Sequence, residues 1–141
     1  MFFTKSATAR ILGVAVTAVR EVRVWAKVVW VNVKGVGCRF ISKKTYLAEF
    51  ARYRREGAAS LEVAPAFGSE RADLEAAWVI KGGAEPHRVE LSNSQFSCDC
   101  WDYQNQAEVM GKGCCKHIYA ALGTLGYSSL SEFVKPELQA A

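Results

Sequence analysis

The chain is poor in metal-binding and reactive side chains, with two histidines and five cysteines in 141 residues. Most of them crowd into "CDCWDYQNQAEVMGKGCCKH", from Cys98 to His117. Long apolar runs are also missing: the stretch Val22 to Val36 is broken by Arg23, Lys27, Asn32 and Lys34, so it cannot cross a bilayer as a continuous helix. The opening "MFFTK" has no apolar h-region or small-residue cleavage site, so it does not read as a signal peptide. A soluble, cytoplasmic protein without membrane contact is therefore expected, nucleoid-associated if the cell is bacterial or archaeal. No low-complexity tract, internal repeat, phosphate-binding Gly-rich loop, paired acidic metal site or nucleophile elbow is found. Those absences argue against an enzyme, and no small-molecule ligand is expected.

Half of the residues are apolar and 23% are charged, a globular composition. The length suits one ordinary domain or two small ones, each with limited apolar area to bury. The formal charge of +4 conceals a division. Residues 1–60 carry 12 Lys/Arg against 3 Asp/Glu, and residues 61–141 carry 6 against 11. A basic first half raises the local concentration of polyanions, which points to nucleic acid. Arg54, Arg55 and Gly57 suit a helix end, and Pro65 and Gly68 follow where the charge changes sign. The expected organisation is a first domain over 1–57, a linker over 58–72 and a second domain over 73–141.

In the first half, Ser6 can cap a short helix with Ala9, Ile11 and Leu12 inward, stopped at Gly13. Val16, Val19 and Val22, with Arg20 and Arg23 between, fit a second helix, although valine-rich sequence can instead start a strand at Val22. "VVWVNV" and "CRFI" flank Lys34 to Gly37 as a hairpin with glycines at its tip. Ser42 then caps a last helix with Tyr46, Leu47, Phe50 and Tyr53 at helical spacing. This order resembles a winged helix-turn-helix. "TARILGVAVTAV" followed by "KGVGCRFISKKTYLAEF" resembles the excisionase or MerR-like DNA-binding module over residues 3–55: Ala9, Leu12, Gly13, Val14 and Val19 match its helix-turn-helix, and Gly37, Arg39 and Phe40 match its wing. At the start of the recognition helix, where that family places polar or basic residues, this chain has Ala15, Val16, Thr17 and Ala18. The resemblance implies base contacts by Thr17, Arg20, Glu21 and Arg23, and phosphate contacts by Lys34, Arg39, Lys43 and Lys44.

In the second half, Cys98 and Cys100 are one residue apart, as are Cys115 and His117, with fourteen residues between the pairs. Clustered cysteines in a reducing compartment favour metal over disulfides, and the odd total argues the same way. Three thiolates and an imidazole close a zinc tetrahedron with no position left for substrate water, which makes one structural Zn2+ site. "CDC" can grip the ion from the end of a strand, and "CKHIYAALGTLG" reads as a helix with Ile118, Ala121, Leu122 and Leu125 inward. Cys114 is a rival for Cys115, and His87 and Cys38 read as ordinary residues. Asp99 and Asp102 could support ligands, cap the loop or stand as solvated acids. A nucleophilic Cys-His pair is the catalytic rival, but metal-bound thiolates are poor nucleophiles and no orienting third group is evident. "EAAWVIKGG" and "HRVELS" suit a hairpin before the cluster. Strand, strand, C-x-C, loop, C-x-H, helix resembles the SWIM zinc finger over residues 74–126.

The fold class expected is α+β, a small winged helix-turn-helix domain plus a ββα SWIM-like zinc-binding domain. The leading expectation for function is a small protein that binds double-stranded DNA, a transcription regulator or an accessory factor of a mobile element or virus. Its zinc finger would make a second contact, with protein or nucleic acid. The alternative is a zinc-stabilised protein–protein adaptor that does not bind duplex DNA.

Overall fold

A computed structural model describes residues 1–67 and 75–133. The chain divides into two compact units, Met1–Tyr53 and Arg54–Ala141, and its class is α+β. The fold of the second unit includes the expected hairpin, metal turn and helix.

The first unit opens with α1 (Lys5–Leu12). Its cap is Thr4 rather than Ser6: the Thr4 hydroxyl accepts the Ala7 N–H at 3.0 Å, satisfying a donor that the first helical turn leaves over. Gly13 ends the helix at φ 68°, the left-handed conformation that costs other residues a Cβ clash. The second helix expected over Val16 to Arg23 is not formed. A single 3-10 turn, Val16–Ala18, leads into strand β1 (Val19–Val24). β-branched residues alternating with charged ones fit a pleated, half-buried surface better than a helix, and the sheet supplies that surface. This is a correction to the helix-turn-helix expectation, since no helix carries Thr17, Arg20, Glu21 and Arg23.

Strands β2 (Val28–Val33) and β3 (Gly37–Ser42) form the expected hairpin, with Gly35 and Gly37 at positive φ around its tip. The sheet order is β1-β2-β3, all antiparallel, with a register shift between Val19 and Glu21. Val29, Val31 and Val33 point to one side and are fully buried with Val19, Ile41, Ala7, Ala9 and Tyr46. Helix α2 (Lys43–Ala59) follows, its Thr45 N–H donating to the Ser42 hydroxyl at 3.2 Å. Two polar features sit in this core. Thr8 donates to the Thr4 carbonyl at 2.8 Å and lies 2.6 Å from the Tyr46 hydroxyl, so both buried hydroxyls are satisfied. Glu49 is 7% exposed and receives Arg10 at 2.9 Å and Arg52 through two bonds at 2.7 and 2.6 Å. The bond from Arg52 is the largest cause holding its carboxyl below the usual value.

The second unit is a four-stranded antiparallel sheet, β4-β5-β6-β7, with two helices. The segment read as a linker contains the end of α2 and strand β4 (Glu62–Phe67), which pairs with β5 (Glu75–Lys81); residues 68–72 of that segment lie outside the described residues. Pro65 is tolerated because β4 is an edge strand. β6 (His87–Ser92) and β7 (Gln95–Cys98) complete the sheet through a turn in which Asn93 and Ser94 take positive φ. Trp78, Ile80, Val89 and Leu91 on the sheet bury against Ile118, Ala121 and Leu122 of the last helix.

Candidate metal centre

Four ligand groups converge here because the end of one strand and the starts of two helices meet. β7 terminates at Cys98, and Cys100 is the N-cap of α3 (Trp101–Met110). Cys115 is the N-cap of α4 (Lys116–Thr124), and His117 lies in its first turn. All four side chains are buried, and their ligand atoms lie within 4.8 Å of one another. His117 Nδ1 is 3.8 Å from Cys98 Sγ and 3.7 Å from Cys115 Sγ. A tetrahedron with zinc–sulfur bonds of ~2.3 Å and a zinc–nitrogen bond of ~2.0 Å has edges of about 3.5 to 3.8 Å. The donor set therefore fits a single structural Zn2+, held by Cys98, Cys100, Cys115 and His117 through its Nδ1. Cys114 lies outside the cluster, half-buried, its thiol pushed up to about 12 by burial.

The thiols show why a cation belongs among them. Three sulfurs this close cannot all ionise unaided. The hydrogen bond with Cys100 pushes the Cys98 thiol up to about 12, and a bond to the same Cys100 raises Cys115. Cys100 is correspondingly lowered, first by its bond from Cys115. Zinc would replace the shared protons with its own charge. The Tyr103 N–H already points at Cys100 Sγ, 3.3 Å away.

The fourteen intervening residues, expected as a polar loop, contain α3. Polar contacts fix this helix more than apolar ones do. Arg54 grips Asp102 through two bonds, at 2.9 and 2.8 Å. Gln106, 1% exposed, donates to Asp102 at 3.1 Å and accepts the Cys114 N–H at 2.9 Å. This relay runs from α2 through α3 to the residue before the third ligand. Gly113 makes the approach possible, because a Cβ there would stand 2.9 Å from Gln106 Cβ and 3.2 Å from the Tyr103 carbonyl. Asp102 thus anchors the loop. Asp99 has a different duty, accepting the Arg88 N–H at 3.1 Å and meeting His87 Nδ1 at 2.9 Å.

Sequence reading missed Arg54, Gln106 and the position of His87. The His87 ring lies 4.6 Å from that of ligand His117, centroid to centroid. The register that pairs Val89 with Cys98 brings the start of β6 alongside the metal turn, a signal that would have required recognising β7 as a third strand.

The eight residues expected to touch DNA are dispersed over the first unit. Thr17 is exposed in the 3-10 turn, while Arg20, Glu21 and Arg23 lie on β1, where Arg23 pairs with Glu21. Lys34 is exposed at the β2–β3 turn, and exposed Arg39 on β3 donates to the Cys38 carbonyl at 2.9 Å. Lys43 and Lys44 begin α2, and Lys43 Nζ donates to the Ala26 carbonyl at 3.0 Å.

The family model of the SWIM zinc finger matches residues 87–126, the stretch containing β6, β7, all four ligands and α4. No curated protein and no solved structure matches the chain. Residues 87–126 thus form a SWIM-type zinc-binding module whose ligands are three cysteines and one histidine. No helix among the described residues is long and apolar enough to cross a membrane.

Proposed function

We propose that this chain is a non-catalytic adaptor, whose zinc-stabilised SWIM module presents α3 to a protein partner and which reads no duplex sequence. The observation that carries this is the exposure of α3: Trp101, adjacent to ligand Cys100, is 75% exposed, and Val109, on the same helix, is 65% exposed. Large apolar side chains fixed on a short helix, with no part in the core, have the character of interface anchors. The acidic balance of residues 61–141 disfavours phosphate as the partner of this face. Four protein ligands close the zinc shell, so the ion supports a shape and does no chemistry.

The duplex reading depended on a recognition helix in the major groove. With Thr17 in a 3-10 turn and Arg20 on a strand, it retains only its basic charge, which binds without reading sequence. The test has two arms. Selection from a random duplex pool should yield no consensus; a consensus whose enrichment disappears in Arg20→Ala would restore the duplex reading. A partner recovered with the zinc-loaded chain should be lost with Val109→Asp while zinc content stays at one ion per chain. Equal recovery with that variant removes α3 as the contact.

A further inference from the structure

The outward side of the first sheet is built unlike an ordinary solvated face. Arg23 on β1, Trp30 on β2 and Phe40 on β3 are directly paired across the strands, forming one row. The Arg23 guanidinium stands 5.5 Å from the centre of the Trp30 ring. Trp25, two residues beyond Arg23, meets Phe40 edge-on with centroids 5.1 Å apart. Phe40 is 62% exposed and Trp25 48%, whereas the opposite side of the same strands is closed by Val29, Val31 and Val33. An aromatic surface of this kind has a cost in water that a core role does not offset.

Charge identifies what would cover it. Residues 1–53 contain ten Lys/Arg against two Asp/Glu. Both acids are already engaged, Glu21 by Arg23 and Glu49 by Arg10 and Arg52. Lys27, exposed in the β1–β2 turn, follows Trp25 by two residues. Stacking rings bordered by excess cations are complementary to a polyanion whose bases are free to stack. A duplex hides its base faces within its own stack, and the residues expected to read its groove lie in a 3-10 turn and on β1 instead of on a recognition helix.

We propose that the Arg23–Trp30–Phe40 row, with Trp25 at its end, is a binding platform for single-stranded nucleic acid. Two or three bases stack on the rings while Lys27 and neighbouring cations meet the phosphates, with little preference for sequence. This site lies in the first unit and does not rest on the adaptor reading of α3.

Fluorescence anisotropy on the full, zinc-loaded chain tests it, using a labelled mixed-sequence single strand of about 12 nucleotides and the same sequence as a duplex. The single strand should bind at least about tenfold more tightly than the duplex, with affinity falling as salt rises. Phe40→Ala and Trp25→Ala should each weaken it about 5- to 150-fold, the range found for removing one base-stacking ring. Phe40→Trp should retain binding, and Lys27→Ala should flatten the salt dependence by about one ion. Both alanine positions are exposed, and an unchanged melting temperature confirms that each variant is folded. The proposal is overturned by absence of single-strand binding at low salt, by equal or tighter duplex binding, or by affinity that Phe40→Ala and Trp25→Ala leave unchanged.

Discussion

Removing zinc should melt α3 before it dissolves the sheet of the second unit. Fixing the ten residues of α3 costs about 10 to 20 kcal/mol of chain entropy, at ~1 to 2 kcal/mol per residue. A helix of that length is marginal alone in water. Its returns from packing are small: Gln106 is its one buried side chain, and partly buried Tyr103 contributes less than ~3 kcal/mol. The Arg54–Asp102 pair, with Asp102 35% exposed, contributes about 1 kcal/mol. The remainder, about 6 to 16 kcal/mol, is of the order of the ~10 to 16 kcal/mol that structural zinc supplies. The sheet stands differently, because Trp78, Ile80, Val89 and Leu91 are at most 1% exposed and are held by burial at ~1.5 to 3 kcal/mol for each large side chain. Hydrogen exchange read by mass spectrometry, with and without a chelator, checks this. Amides of Trp101–Met110 should lose protection completely, while those of β5 and β6 keep a measurable part of theirs. An α3 equally protected in the chelated protein would refute the reasoning, since the remaining contacts of the helix are too weak to order it.

Cys115→Ser should abolish stoichiometric zinc and Cys114→Ser should leave it at one ion per chain, as read by elemental analysis. Gly113→Ala should destabilise the zinc-loaded second unit by about 1 to 3 kcal/mol in a denaturant titration, the usual cost of overpacking; no loss would mean that the loop can recede from Gln106. Glu49→Gln should cost the first unit about 2 kcal/mol, the value of hydrogen bonds to a charged group. Because the Glu49 carboxyl is held below its usual value of 4.5, its contribution is complete above that value and disappears as pH falls through the lower, folded one. A wild-type and Glu49→Gln pair should therefore converge in acid, and a constant gap would show that Glu49 stays neutral. Acid should also expel zinc, since all four ligands bind it deprotonated; a colorimetric release assay should show more free zinc at each step down in pH.

The legible parts were those written in spacing and punctuation. C-x-C and C-x-H gave the metal set because zinc needs few residues in a fixed geometry. Gly13 marked the end of α1, and Gly35 and Gly37 marked the β2–β3 tip, because positive φ restricts the choice of residue. Three elements were not legible. β4 was concealed by Pro65 and its alanines, which an edge strand tolerates and a linker also favours. α3 was concealed because "WDYQNQAEVM" has no apolar stripe and depends on an ion and on Arg54, distant in sequence. The second helix of the first unit was expected from Val16, Val19 and Val22 at helical spacing, but the same valines satisfy a strand once β2 lies beside it. The His87–His117 contact needed the register of β6 and β7, which no local pattern encodes.

The shifted register between Val19 and Glu21 has a bearing on solubility. β1 is an outer strand whose unpaired amides and carbonyls would otherwise serve as a template for another molecule. The irregularity, with exposed Arg20 inside it, spoils that template: an incoming strand would meet a bend and a cation instead of a straight ribbon. Neutralising Arg20 should leave the chain folded yet prone to filament growth along this rim.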